Sequence, residues 1–376
     1  MPHLGRVSRS AYASLVIMAR NIAVKGKNRW GKQLCCFPCS SNYFCTSTYA
    51  NGEQSAITQA MDIAEMKGRT SYCVYTSHIP RNSTHRDGSI YKRHSVFLRL
   101  WPLITRRDET QLEPMMSSQP MNCSPDREKC EIHYATHMLQ IFSLKLAKNS
   151  TNDGLVQIYG YIAVRDFQDS LLNYVVNRSR DDPIIVEQGS LIEMTGPKRY
   201  IAMLSPVLLE FDMRIKKGEQ EEDDLQLIDG ADEYGGLRTS EYPFTCRING
   251  DCGAVDITLA LVRWAFEATI DVIISKVQCG FDLSLSSFVL NMDGLHEIQL
   301  FRGSIGGSCS LRRHVIAVKE NTWMHLKFKV GQRSCKNDGD LDRHCSFKAK
   351  KHGYDYQQIM LELASISVKV TWSNVE

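Results

Sequence analysis

The stretch GEQEEDDLQLIDGADEY, residues 218–234, carries Glu219, Glu221, Glu222, Asp223, Asp224, Asp229, Asp232 and Glu233. Hard oxygen donors at this density suit calcium, whose sites in β-sandwiches lie on end loops where aspartates from separate loops converge. Asp223 and Asp224 need such a second loop, and RSRDDP, with Asp181 and Asp182, supplies one. Asp181, Asp182, Asp223 and Asp224 are therefore the candidate calcium ligands. Asp229 stays outside this set, because LQLIDG reads as a strand and turn that carries it about 17 Å from Asp224, at about 3.3 Å per residue. The more economical reading of the same residues is a solvated acidic edge that protects a sheet from unwanted pairing.

Other arrangements with chemical meaning are weaker. MTGPKRYI sets Lys198 and Arg199 on a Gly196–Pro197 turn, which suits a phosphate and equally suits an ordinary surface turn. GSIGGS, residues 303–308, lacks the Lys-Ser/Thr ending of a phosphate loop, precedes no helix, and reads as a hairpin connection. His133 and His137 have the spacing of a helical zinc pair, but no Glu follows His133 and the chain there turns into a strand. CCFPC offers Cys36 and Cys39 as half of a zinc knuckle without a second pair. No Gly-x-Ser-x-Gly elbow marks a Ser–His–Asp hydrolase. Lys348, Lys350, Lys351 and His352 beside Tyr354 and Tyr356 have the mix that holds single-stranded nucleic acid. Asp338, Asp340 and Asp342 weaken that idea, and the region reads as a long polar loop feeding the last strand. No catalytic residue and no cofactor other than calcium is expected.

The elements that must position these residues are strands. From about residue 135 apolar residues recur with period two: Val207, Leu209, Phe211, Met213 and Ile215 against Glu210, Asp212, Arg214 and Lys216, and Met324, Leu326, Phe328 and Val330 against His325, Lys327 and Lys329. The longest run places Val262, Trp264, Phe266, Ala268, Ile270, Val272 and Ile274 on a dry face and Arg263, Glu267, Thr269 and Asp271 on a wet one. Further strands are expected at 139–146, 156–164, 172–176, 281–285, 297–301, 315–318 and 366–372. One dry and one wet face is the antiparallel habit, and so many short strands imply a sandwich or barrel. The alternation slips between Leu261 and Val262 and between Leu363 and Ile366, where bulges or bends are expected. Residues 139–215 and 270–330 repeat a similar succession of strands, suggesting two related β halves. The fold class is all-β, antiparallel and sandwich-like, behind a largely irregular N-terminal region.

Before Glu53 the chain has no acidic residue but carries Arg6, Arg9, Arg20, Lys25, Lys27, Arg29 and Lys32. Residues 1–52 thus suit an organelle transit peptide or a disordered basic arm. Residues 53–134 are read as irregular, with one short helix at 55–68, and residues 135–376 as the β domain. A net charge of +3 on 376 residues gives no overall footprint for nucleic acid. No run is long and apolar enough for a membrane helix. Thirteen cysteines without a paired spacing argue for reduced thiols, so the sequons at Asn82, Asn122, Asn149 and Asn177 are not expected to carry glycans. An intracellular location is favoured.

LQIFSLKL, YGYIAVRD, LLNYVVNRSRDDP, MTGPKRYI, EFDMRIKKG, DDLQLIDG, GAVDITLALVRWAFEATIDV and SISVKVTWS resemble, in order, the landmarks of a family of uncharacterised domains expanded in grasses, domain of unknown function 6598. The match covers roughly 135–376. Some relatives carry a ribosome-inactivating N-glycosidase domain, which implies a stress or defence setting. That enzyme needs a Glu and an Arg one helical turn apart. In FEATI the Glu is Glu267, on the wet face of an expected strand, and Ile270 stands where the Arg would fall. The sequence therefore predicts a non-enzymatic interaction module with a protein partner. The alternatives are an accessory or degenerate relative of ribosome-inactivating proteins and a calcium-dependent membrane-binding sandwich.

Overall fold

The structure, a computed structural model, describes residues 71–72, 84–91, 106–114, 134–151, 154–235, 239–332 and 341–373. Residues 1–52, the helix expected at 55–68, the Cys36–Cys39 pair and His133 lie outside the described residues. In chain order the first strands are β1 (Ser71–Tyr72), β2 (Thr136–Asn149), β3 (Leu155–Arg165), β4 (Asn173–Arg178), β5 (Ile184–Glu187), β6 (Ile201–Ala202), β7 (Val207–Ile215), β8 (Leu225–Tyr234) and β9 (Phe244–Asn249). Then follow β10 (Gly253–Ser275), β11 (Phe281–Asn291), β12 (Gly294–Ile305), β13 (Cys309–Ser310), β14 (His314–Lys319), β15 (Trp323–Gln332), β16 (Leu341–Lys348), β17 (Gly353–Met360) and β18 (Ser365–Ser373). Single 3-10 turns occur at Ser89–Tyr91 and Glu221–Asp223.

The period-two strands bury their apolar faces as the alternation requires. Val207, Leu209, Phe211, Met213 and Ile215 enter one core and Met324, Leu326, Phe328 and Val330 a second. Each such fully buried side chain contributes about 1.5–3 kcal/mol relative to exposure. The first core lies between the layer β4-β3-β7-β8 and the layer β6-β2-β10-β9; the second lies between β12-β11-β15-β16 and β14-β10-β18-β17. The two halves are built alike. β2 pairs with β6 and β10 as the second half of β10 pairs with β14 and β18. β3 pairs with β4 and β7, and β7 with β8, as β11 pairs with β12 and β15, and β15 with β16. The β9–β10 hairpin matches β17–β18. All of these pairings are antiparallel, and the related halves expected at 139–215 and 270–330 are two sandwiches of one topology. β5 on β3, β13 on β10 and the parallel β1 on β9 are particular to one half.

One strand serves both sandwiches. Register shifts at the predicted slip, between Val262 and Ala265, and a φ of 54° at Trp264 mark a bulge where β10 crosses from one core to the other. The bulge turns Trp264 outward, 58% exposed, which corrects the dry-face assignment. The slip at 363 is instead the turn between β17 and β18. The long polar loop expected before the last strand holds two strands, β16 and β17. Segments 84–91 and 106–114, read as irregular from sequence, dock on the first sandwich through Asp229, Glu210 and the bridge Glu109–Leu172.

Candidate functional site

The outward positions of β3 and β7 carry Tyr161, Arg165 and Glu210, and β8 adds Asp229; residues 84–91 lie over them. Glu210, fully buried, accepts from Tyr91 Oη (2.6 Å), Tyr161 Oη (3.0 Å) and His85 Nε2 (3.2 Å) on one oxygen and from Arg165 Nε (2.9 Å) on the other. His85 Nδ1 bonds Asp229, whose carboxylate also accepts the His85 backbone N–H at 3.1 Å. Burial opposes charge on both partners, and the hydrogen bonds reverse it. Asp229 and Glu210 hold His85 protonated up to about 9, and His85 with Arg165 keeps Glu210 ionised down to about 2. Burial and then the Glu210 charge push the Tyr161 hydroxyl far above its ordinary range. Every acid and base here is committed to an internal partner. The cluster is a lock for residues 84–91, and it offers no free base to a substrate.

A second polar knot lies at the start of β6. Arg199 is fully buried, not on a surface turn as expected, and grips Asp166 with Nη1 at 2.7 Å and Nη2 at 2.9 Å. Asp166 also accepts the Ala202 N–H (2.8 Å), and Thr110 Oγ1 donates to Asp169 (2.6 Å), stitching residues 106–114 to this knot. Beside it Glu267, expected on a wet face, is fully buried, because β6 and the chain before it cover that side of β10. Its carboxylate accepts from the Tyr200 N–H and from Ser373 Oγ (2.6 Å). Burial outweighs these donors and Arg199, raising its pKa to about 7.

Next to Lys198, which precedes the Arg199 knot, opens a cleft of about 320 Å³. Tyr174 and Asn177 of β4 and the 195–198 turn form one wall, and Arg312 and Arg313, just before β14, form another. Glu109 and Glu113 close it. The turn is pinned to β4 by Thr195 and Gly196 N–H bonds to the Val175 carbonyl, at 2.8 and 3.0 Å. A Cβ on Gly196 would fall 2.0 Å from the Tyr174 carbonyl oxygen, so only glycine fits. Lys198 Nζ meets Glu113 at 3.3 Å and Arg313 meets it at 4.0 Å, while Arg313 also bonds Asp271 at 3.1 Å. Arg312, exposed, has no hydrogen bond or ion pair with any described residue.

Among protein families, residues 138–370 match the domain of unknown function DUF6598. The chain belongs to the DUF6598 family. No curated protein matches it. Solved structures of human GIVD cytosolic phospholipase A2, free and with methyl gamma-linolenyl fluorophosphonate, are similar at 8% and 9% identity, with TM-scores of 0.21 and 0.22. They cover 65% of this chain, which spans about a third (33%) of theirs. Likeness at that level carries no argument about fold or activity.

The DUF6598 domain brings the two acidic loops together, and the group that joins them is a guanidinium. Arg180, from the RSRDDP turn, bonds Asp224 through Nε at 2.7 Å and the carbonyls of Glu219, Gln220 and Lys217 at 2.9, 3.0 and 3.2 Å. Asp224, buried, also accepts from Tyr159 and the Lys217 N–H; burial raises its pKa, and Arg180 with Tyr159 lowers it to about 2. Asp181, Asp182 and Asp223 are exposed, Asp182 pairing with Arg178 at 2.6 Å. Among the described residues no three His, Cys, Asp or Glu side chains gather as a metal cluster. No helix among them is long and apolar enough to cross a membrane. His137 lies against Trp264 on the bulge, with ring centroids 5.0 Å apart. The Lys198 turn was legible in the sequence as a cation pair, whereas Arg312 and the two knots were not, because the knots' members stand far apart along the chain without period or motif.

Proposed function

We propose that this DUF6598 protein is a non-enzymatic binding module whose ligand enters the cleft beside the 195–198 turn. One observation carries the reading: Arg312 lines a cleft of ligand size without a described partner, while Glu210 with Arg165 and Asp166 with Arg199 are paired inside the protein. Ligand sites are concave, with a few placed polar groups. Glu267, the nearest look-alike of an N-glycosidase carboxylate and read from sequence as structural, has both oxygens engaged inside the protein. That supports binding over catalysis. The plant stress or defence setting implied by the family resemblance belongs to this proposal, as does a protein partner for the loaded module.

The test is a thermal-shift screen of the full chain against a chemically mixed small-molecule library, with each hit repeated on Asn177→Trp. Asn177 is exposed and lines the cleft, so an indole there blocks entry without disturbing a core. Hits that stabilise the parent and lose their effect on the variant are expected. Hits indifferent to the block, or chemical turnover of a hit, would contradict the proposal.

A further inference from the structure

We infer that the ligand is a phosphorylated polyol, and that Glu113 is a built-in competitor for its phosphate. The inference rests on the binding-module reading. Lys198 and Arg313 already converge on one carboxylate, that of Glu113, at 3.3 and 4.0 Å, so the cleft itself marks where an anion sits. The hold is loose, and Glu113 is 43% exposed. Half-solvated ion pairs of that length contribute little, so a stronger anion can replace it. Arg312 supplies the stronger attraction: its planar fork is unengaged and matches two oxygens of a phosphate. The lining holds three cations and two carboxylates, Asp271 behind it neutralises Arg313, and displacing Glu113 leaves the site net positive.

The remaining lining chooses the rest of the ligand. Glu109 presents a carboxylate without a hydrogen bond from the described residues, which repels a second anionic group and accepts from hydroxyls. The Asn177 side-chain amide adds donors and acceptors, and Tyr174 offers a ring for the flank of a saturated ring. A hydroxyl-rich ring bearing one phosphate satisfies all of these. The same chemistry occurs in a soluble sugar or inositol phosphate and in an inositol phospholipid headgroup.

The experiment is calorimetry on the full chain with myo-inositol 1-phosphate, glucose 6-phosphate, inorganic phosphate and uncharged myo-inositol, beside pelleting with vesicles containing or lacking phosphatidylinositol. The phosphorylated polyols are expected to bind, more weakly as salt rises, and the uncharged polyol not to. Arg312→Ala should weaken binding about tenfold, and Glu113→Gln should tighten it several-fold. A structural role for Glu113 predicts the reverse for Glu113→Gln, and a melting curve on each variant separates folding from binding. Pelleting only with phosphatidylinositol, lost in Arg312→Ala, would assign the headgroup as the source; soluble binding without pelleting would assign the free ester. Equal affinity for charged and uncharged polyol, or unchanged binding in Arg312→Ala, would overturn the inference while leaving a cleft-binding module intact. No heat with any probe would overturn it too, and library hits blocked by Asn177→Trp would then show that the module reading survives.

Discussion

Buried ionisable residues make this protein's stability depend on pH in opposite directions. Glu267 has a folded pKa raised to about 7 from an ordinary 4.5, so the native state holds its proton more tightly than the unfolded chain. Stability from this group is full below about 4.5 and is lost as pH rises through about 7, by about 3 kcal/mol in all. Glu267→Gln, a neutral isostere, should flatten that slope, read as denaturation midpoints between pH 5 and pH 7.5; an unchanged slope would refute the assignment. Glu210 and Asp224, both lowered to about 2, act the other way: their contribution is present above the ordinary carboxylate range and lost as pH falls toward 2. His85, raised to about 9, contributes below about 6.5 and loses it as pH rises through about 9. Glu210→Ala should cost about 3–5 kcal/mol in urea unfolding, since Arg165 would stay buried without its carboxylate. A loss under 1 kcal/mol would mean that the pair is solvated. None of this was legible in the sequence. Alternation assigns Glu267 and Glu210 to wet faces, and only the chain packed outside each sheet makes those faces dry.

At the scale of elements, the alternation of β7 and β15 was readable because each has one covered apolar face. β10 was readable except at Trp264, where an extra residue reverses the facing of the side chains, and at Glu267 and Thr269, whose expected wet side is buried. β16 and β17 escaped notice because they are polar strands, β17 paired on one side by β18 and largely exposed along its length. The 195–198 turn yields a sharp test. Gly196→Ala puts a methyl against the Tyr174 carbonyl, so the turn must leave β4, at a cost of about 2 kcal/mol or more and with loss of ligand response. Gly154→Ala, where nothing lies within 4 Å, is the control and should stay within about 0.5 kcal/mol of the parent by chemical denaturation. Equal effects of the two would remove the tight turn from the account.

For the whole molecule, two sandwiches of one topology share β10, so neither can lose its core without fraying the strand that builds the other. Ile257 lies in the first core and Ile270 in the second, both on β10 and both fully buried. Ile257→Ala and Ile270→Ala should each cost about 2–5 kcal/mol and move one common transition, followed by calorimetry and tryptophan fluorescence; two separated transitions would show that the halves are independent. The repeat was visible in the sequence as a succession of strands, while the matching pairings needed the structure, because residue identities have diverged between halves. Segment 106–114 docks on the first half, and Arg312 and Arg313 before β14 of the second half complete the cleft, so that cleft draws on both sandwiches. The proposed ligand site is the cleft. Amide chemical-shift mapping of the full chain with myo-inositol 1-phosphate tests it most directly. Binding in the cleft should confine the shifts to Tyr174–Asn177, the 195–198 turn, 109–113 and 312–315; shifts centred on another face, with these amides unmoved, would place the ligand elsewhere and rule the cleft out.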